Sequence, residues 1–229
     1  MLKIEQLRYC RGDFLLEADM TIETGERVAV IGPSGGGKST LLALIAGFEA
    51  ADRGHISWNE TDLTALAPAR RPITMLFQDN NLFPHLDILT NVALGINPSA
   101  RPGAEALAIA GTALDEVGLS EFAARRPGGL SGGQQSRAAL ARALVSRRKL
   151  VLLDEPFAAL GPALRADMLD LLPRLLPDAT ILMVTHDPED ALGFAARTVF
   201  VTDGNVDSPQ PTRKLIAEPD ARLAAYLRR

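Results

Sequence analysis

Along this chain, short apolar runs of strand-forming residues alternate with polar turns and helical patterns. Arg27-Val28-Ala29-Val30-Ile31 runs into a glycine-rich turn. The segment Ser39-Thr40-Leu41-Leu42-Ala43-Leu44-Ile45-Ala46 then predicts a helix, with Gly47 as its natural stop. Ile73-Thr74-Met75-Leu76-Phe77 leads to Gln78, and Leu150-Val151-Leu152-Leu153 leads to Asp154-Glu155-Pro156. Thr180-Ile181-Leu182-Met183-Val184 leads to Thr185-His186-Asp187, and Thr198-Val199-Phe200-Val201 comes last. Strands that are apolar throughout and separated by helices predict a parallel sheet covered on both faces. Ligands of such sheets sit at the carboxyl ends of the strands. The first thirty residues and Gly54-His55-Ile56-Ser57-Trp58 read instead as short antiparallel strands.

A helical insertion is expected from about 88 to 135. Leu107, Gly111, Leu114 and Val117 fall on one face, and Gly118 ends that run. Residues 97–103 and Pro127-Gly128-Gly129 read as its hinges. The 229 residues suit one α/β domain carrying such an insertion. No internal repeat is visible. No apolar run approaches the ~18 residues that span a bilayer, so membrane contact is expected through a partner. The amino terminus carries no signal-peptide pattern. Cys10 is the single cysteine, which excludes an intrachain disulfide and fits a reducing cytoplasm; it reads as a small buried apolar residue. A net charge of −4 and 5% aromatics argue against a nucleic-acid partner. Arg70-Arg71, Arg125-Arg126, Arg147-Arg148-Lys149 and Arg228-Arg229 read as solvated helix ends.

Three runs carry chemistry. Gly32-Pro33-Ser34-Gly35-Gly36-Gly37-Lys38-Ser39 fits G-x-x-x-x-G-K-[ST], after a strand and opening a helix. Glycines let the backbone N–H groups turn toward phosphate oxygens, and the helix start adds its positive dipole end. Lys38 is expected to reach the β- and γ-phosphates and Ser39 to ligate Mg²⁺, with Thr40 next in the binding run. Asp154 ends a buried strand, where an isolated carboxylate is costly, so Mg²⁺ shared with Ser39 is its expected partner. Glu155 follows and points differently, as a base for the attacking water. Leu130-Ser131-Gly132-Gly133-Gln134-Gln135 opens a helix with Ser131 as N-cap. Capping does not require Gly132-Gly133, so this is read as a second phosphate site. One chain does not easily bring both sites to one nucleotide; two copies head to tail do.

Together these runs resemble the nucleotide-binding subunits of ABC transporters, over essentially the whole chain. Leu130 to Gln135 matches the family's signature. The resemblance implies a P-loop NTPase (ABC ATPase) fold: a parallel-sheet α/β core, an N-terminal antiparallel β subdomain and an inserted helical subdomain. Arg70-Arg71-Pro72, Met75 to Phe83 and Leu94-Gly95-Ile96-Asn97-Pro98 look most like the ATPases of bacterial thiamine and thiamine-pyrophosphate importers. Importers of polyamines, iron and sulfate share much of this, but their subunits commonly carry a C-terminal regulatory domain for which a chain ending at Arg229 has no room.

Further roles follow from the resemblance alone. Tyr9, 23 residues before Gly32, stands where the family places an aromatic that stacks on adenine. Gln78 matches the glutamine that touches Mg²⁺ and senses the γ-phosphate. Asp79 to Leu94 matches the surface that receives the permease's coupling helix. His186 matches the switch histidine at the γ-phosphate. Ser131, Gly132, Gly133 and Gln134 match residues that close on the partner's nucleotide. His55 and His85 read as structural. The implied protein is a peripheral ATPase at the cytoplasmic face of the inner membrane. It binds ATP and Mg²⁺, forms a homodimer when ATP is bound, and drives a permease fed by a periplasmic binding protein. Two departures stand out: Ala158-Ala159-Leu160-Gly161 lacks the aspartate of the family's Ser-Ala-Leu-Asp loop, and Ser136 replaces a longer polar residue. Two other readings are a soluble ABC ATPase, for which the second nucleotide domain or long coiled coil is missing, and a nucleotide-binding scaffold that no longer hydrolyses.

Overall fold

The structure is a computed structural model that describes residues 1–99 and 101–228. Ala100, inside the expected 97–103 hinge, lies outside the described residues. In chain order the first strands are β1 (Leu2–Arg11), β2 (Phe14–Ile22), β3 (Arg27–Ile31), β4 (Arg53–Trp58), β5 (Thr61–Asp62) and β6 (Ile73–Leu76). They are followed by β7 (Leu150–Asp154), β8 (Thr180–Val184), β9 (Arg197–Thr202), β10 (Asn205–Val206) and β11 (Gln210–Pro211). The helices are α1 (Lys38–Ala46), α2 (Ile88–Ala93), α3 (Ala104–Glu116), α4 (Gly132–Val145), α5 (Pro162–Leu175), α6 (Pro188–Phe194), α7 (Thr212–Ala217) and α8 (Ala221–Leu227). They form two compact units, Met1–Ile73 with Asp178–Arg229, and Thr74–Pro177.

In the first unit the strand order is β5-β4-β1-β2-β10-β9-β3-β8. The early strands are antiparallel, β1 against both β2 and β4. The apolar strands are parallel: β3 lies between β8 and β9, with Val30 opposite Val184 and Ile31 opposite Phe200. Every residue of β8 is buried, as is all of β3 after Arg27, which is why these strands read as continuous apolar runs.

β1 shows how one residue redirects a strand. Leu2 and Ile4 point inward, then Leu7 and Tyr9 do. The register shifts between Ile4 and Leu7, where Gln6 has a φ of 47°. This bulge moves the inward positions from even to odd numbers. Cys10 is therefore exposed, not buried as its residue type led us to expect.

Arg71 corrects a second expectation. It is 3% exposed rather than solvated. Its guanidinium donates to the Leu44 and Ile45 carbonyls at 2.7 Å each, to Leu66 at 2.9 Å and to Thr64 at 3.3 Å. The first two are carbonyls at the end of α1; Leu44 also accepts from the Gly47 N–H at 3.2 Å. Burial pushes this guanidinium's pKa below its usual value, and the Asp62 charge opposes that shift. Gly47 ends α1 in the left-handed region, and a Cβ there would meet Arg71 Nε at 2.5 Å.

In the second unit β6 and β7 are neighbours. The core of the helical part joins Ile88 and Val92 of α2, Ala110 and Leu114 of α3, and Ala138 and Ala141 of α4. Leu107 packs partly against it and Val117 closes the α3 face. Gly118 follows with a φ of 69°, the left-handed turn that ends the helical run. On α5, Met168 and Leu172 are buried, whereas Leu164 is 38% exposed. It lies over the start of α4, as described below.

Candidate functional site

The first unit builds a glycine-rich cradle at the carboxyl edge of its parallel strands. Gly32 follows β3 with a φ of 149°, and a Cβ there would sit 1.9 Å from the Val201 carbonyl oxygen. At Gly36 a Cβ would meet the same oxygen at 3.0 Å. The Gly36 carbonyl accepts from Gly204 N–H at 3.0 Å, so the loop is laced to the β9–β10 turn. Only glycine lets the backbone approach this closely. Gly37, the N-cap of α1, is left-handed, and no side chain caps the helix. Lys38 is 7% exposed and folds back into the loop, donating to the Gly32 and Pro33 carbonyls at 2.9 Å each. Ser34, Gly35 and Ser39 are exposed and Thr40 is half-buried. An uncapped helix start, wrapped in glycines with an ammonium held at its centre, fits a polyphosphate by its donor set.

His186 stands at the same edge. His186 follows two residues after β8, whose Val184 pairs with Val30 of β3, and Thr185 N–H donates to the Val30 carbonyl at 3.1 Å. His186 itself is exposed. Tyr9 is 6% exposed, and its hydroxyl donates to Glu49 at 2.9 Å. In this conformation it packs as a strand tyrosine, and stacking on adenine needs the ring to turn outward. A residue that the sequence reading passed over, Phe14, places its ring 3.1 Å from where a Gly37 Cβ would be.

The second unit carries the carboxylates. Asp154 is the last residue of β7, half-buried after four buried residues. Glu155 has a φ of 46°. Left-handed backbone at a non-glycine residue is costly and concentrates at functional sites. It also turns Glu155 away from the direction of Asp154. Gln78 follows β6 and is exposed. Beyond it, Asn80 and Asn81 are also left-handed, with φ of 58° and 46°. Arg142 of α4 holds their carbonyls at 2.9 and 2.8 Å. Burial lowers the pKa of that guanidinium, and Asp79 opposes the shift. Fully buried Asn91 donates to the carbonyls of Phe83, Leu86 and Asp87 and accepts from Phe83 N–H at 2.7 Å, which fixes the loop before α2. Phe83 is left 44% exposed on it.

Ser131 caps α4 in a reciprocal box. Its hydroxyl accepts from Gln134 N–H at 3.4 Å, and the Gln134 side chain accepts from Ser131 N–H at 2.9 Å. The two glycines differ. A Cβ on Gly133 would lie 2.1 Å from Leu164 Cδ2, whereas a Cβ on Gly132 would meet nothing closer than Leu160 Cδ2 at 3.9 Å. Nothing in its own unit asks for glycine at 132. The N-cap of α5 is Gly161, extended, with no side-chain cap and nothing within 4 Å of a Cβ.

Comparison with known proteins identifies the family. Residues 15–158 match the family described as ABC transporter. The chain is 56% identical over 229 residues to a thiamine import ATP-binding protein, ThiQ, of Cereibacter sphaeroides, covering 99% of each chain. It is 46% identical to one of Yersinia pestis over 218 residues, 94% of this chain and 92% of the other. Among solved structures it resembles a dimeric ATP-binding cassette, MJ0796, in a post-hydrolysis state bound to ADP and Pi: TM-score 0.80, 32% identity, 93% of this chain and 99% of that one. A nucleotide-free cassette from an ABC transporter gives a TM-score of 0.88 at 25% identity, covering 99% and 98%.

Proposed function

The chain belongs to the ABC transporter family, and on that premise we propose that it is the ATP-hydrolysing subunit of a bacterial importer of thiamine or thiamine pyrophosphate. The observation that carries the ATPase reading is the glycine cradle of Gly32 and Gly36 around Lys38, at an uncapped helix start. The cargo reading rests on the relatives, 46–56% identical over nearly the full chain and named for thiamine import.

In this reading the Gly32–Thr40 run binds the phosphates through its amides and Lys38. Ser39, Gln78 and Asp154 are the residues that would hold Mg²⁺, which would neutralise phosphate charge. Glu155 takes a proton from the attacking water, and His186 donates to the γ-phosphate. Ser131, Gly132, Gly133 and Gln134 face the nucleotide of a second copy, so ATP closes a homodimer. The permease contacts Gln78 to Leu94, where exposed Phe83 stands on a loop held rigid by Asn91. A periplasmic binding protein delivers the cargo to that permease, and the subunit works at the cytoplasmic face. Among the described residues no helix is long and apolar enough to cross a membrane.

Glu155→Gln keeps the shape of the side chain and removes its basicity, so ATP binding should persist while phosphate release falls by about 10²–10⁴-fold. The same protein should sediment as a dimer with ATP and as a monomer without it. Near-normal phosphate release by the variant overturns the assignment. Undiminished high-affinity uptake of labelled thiamine by cells lacking this subunit rejects the cargo and leaves the ATPase intact.

A further inference from the structure

Within the second unit, the stretch that leads from β6 through α2 is held by α4 at both of its ends. At the first end, Asn80 and Asn81 stand in the left-handed region, with φ of 58° and 46°. Two such residues in succession are costly outside glycine, and asparagine bears the cost better than most. Their carbonyls meet one guanidinium: Arg142 Nη2 donates to Asn80 at 2.9 Å and Nη1 to Asn81 at 2.8 Å. At the second end, Gly95 lies just beyond α2. A Cβ there would sit 2.3 Å from the Arg142 carbonyl oxygen and 2.8 Å from Val145 Cγ2, so the two main chains approach closely. The same turn of α4 therefore grips the stretch where it begins and where it ends.

Between these two holds the stretch is braced by Asn91, whose side chain ties Phe83, Leu86 and Asp87 together. Exposed Phe83 stands on that frame with the His85 ring edge-on to it, 6.0 Å between centroids. The hold at Asn80 and Asn81 resists displacement for a stated reason. A planar guanidinium bonds two successive carbonyls only while both peptide planes keep their orientation. Its charge is withdrawn from water, and burial lowers its pKa against the opposing Asp79 charge. Carrying the carbonyls away would leave a desolvated cation short of acceptors. A shift of the loop is thus easier if α4 goes with it. About 15 Å of helix separates Arg142 from the capped start at Ser131 and Gly132.

We propose that Arg142 is a positioning residue: it makes the loop around Phe83 and the start of α4 one moving piece. A displacement of the loop passes through the Asn80 and Asn81 carbonyls to the guanidinium, and along α4 to Ser131 and Gly132. The proposal rests on two readings, Gln78 to Leu94 as the permease contact and the start of α4 as the site for a second copy's nucleotide. Arg142 touches neither in this account; it acts through the helix and the loop. Lysine does not replace it, because an ammonium is a point donor with no fixed fork. The backbone at Asn81 matters as well, since its left-handed turn helps present both carbonyls to one guanidinium.

The test is phosphate release by the subunit alone and assembled with its permease, for the unmodified protein, Arg142→Lys, Asn81→Ala and Asn81→Gly. The readout is the stimulation, the ratio of the assembled rate to the rate alone. Arg142→Lys keeps the cation and loses the fork. It should cut the stimulation about fivefold or more, with its rate alone, its affinity for ATP and its co-purification with permease unchanged. The two Asn81 variants remove the same side chain and differ in backbone: alanine is strained at a φ of 46° and glycine is not. Alanine should lower the stimulation and glycine should keep it. Parent-like stimulation in Arg142→Lys overturns the proposal. So does a fall in its rate alone that accounts for the whole loss, which marks a structural role, or a loss of co-purification, which marks a role in docking. An equal effect of alanine and glycine at 81 also overturns it, and this pair decides the matter if Arg142→Lys does not fold. An unmodified protein that neither binds permease nor is stimulated by it removes the permease reading, and the proposal with it. A stimulated parent with unaltered variants leaves that reading standing and removes only the proposal.

Discussion

Two glycine-rich helix starts, those of α1 and α4, look alike in sequence and differ in what their glycines do. At α1 the glycines are demanded by the protein itself: Gly32 and Gly36 lie against the Val201 carbonyl, and no side chain caps the helix. The cradle is finished within one unit. At α4 the first turn is capped by Ser131 and Gln134, and Gly132 has open space where a side chain would be. A built site wraps its glycines around its own backbone. The start of α4 is capped by its own side chains and leaves open space at Gly132. The difference supports the proposal that α1 serves the chain's own nucleotide and α4 that of a second copy.

The sharpest break between the two comes from adding one methyl to each. Gly32→Ala drives a Cβ into the backbone oxygen of Val201 at a positive φ. It should destabilise the loop by about 3 kcal/mol and weaken ATP binding by about two powers of ten, measured by nucleotide titration. Binding within a factor of three of the parent would show that the cradle is not built as described.

A cap is the next lever. Ser131→Ala removes the hydroxyl that accepts from Gln134. It should cost about 1 kcal/mol in denaturant unfolding and also weaken ATP-driven dimerisation. If stability falls and dimerisation does not, Ser131 is a cap and nothing more.

Gly132→Ala separates those effects. Its methyl meets no atom of its own unit closer than 3.9 Å, and alanine is the better helix former. Stability should hold or rise by up to about 1 kcal/mol, while sedimentation with ATP shows less dimer. Dimerisation equal to the parent's would remove the case for an outward-facing phosphate site.

The smallest effect is expected at Gly161, where a third helix start lacks a cap. Its backbone is extended and its surroundings open, so aspartate fits without strain. Gly161→Asp should raise stability by a few tenths of a kcal/mol, since aspartate is a slightly better N-cap than glycine and favours the positive helix end. In the assembled transporter it should raise the ATPase rate or its cooperativity. Identical rates and Hill coefficients would mean that the chain does not need this carboxylate.

The sequence by itself determined the buried parallel strands, the helix after the glycine run and the helical insertion. The apolar runs at Arg27–Ile31 and Thr180–Val184 are strands over those same residues, because a strand buried on both faces has no polar positions to blur its limits. The glycine run between β3 and α1 was legible because its chemistry is local: each amide needs only its neighbours' backbone angles. Tertiary structure alone decided what depends on parity and on distant partners. The bulge at Gln6 put Cys10 outside and Tyr9 inside, since one extra residue reverses every later side chain of the strand. Arg71 went inside because the end of α1 offers it carbonyls more than twenty residues away. Gly132 and Gly133 are indistinguishable as letters, and only the position of Leu164 separates them. Tyr226 meets His186 because α8 folds back onto β9, a contact between distant residues that no local pattern encodes.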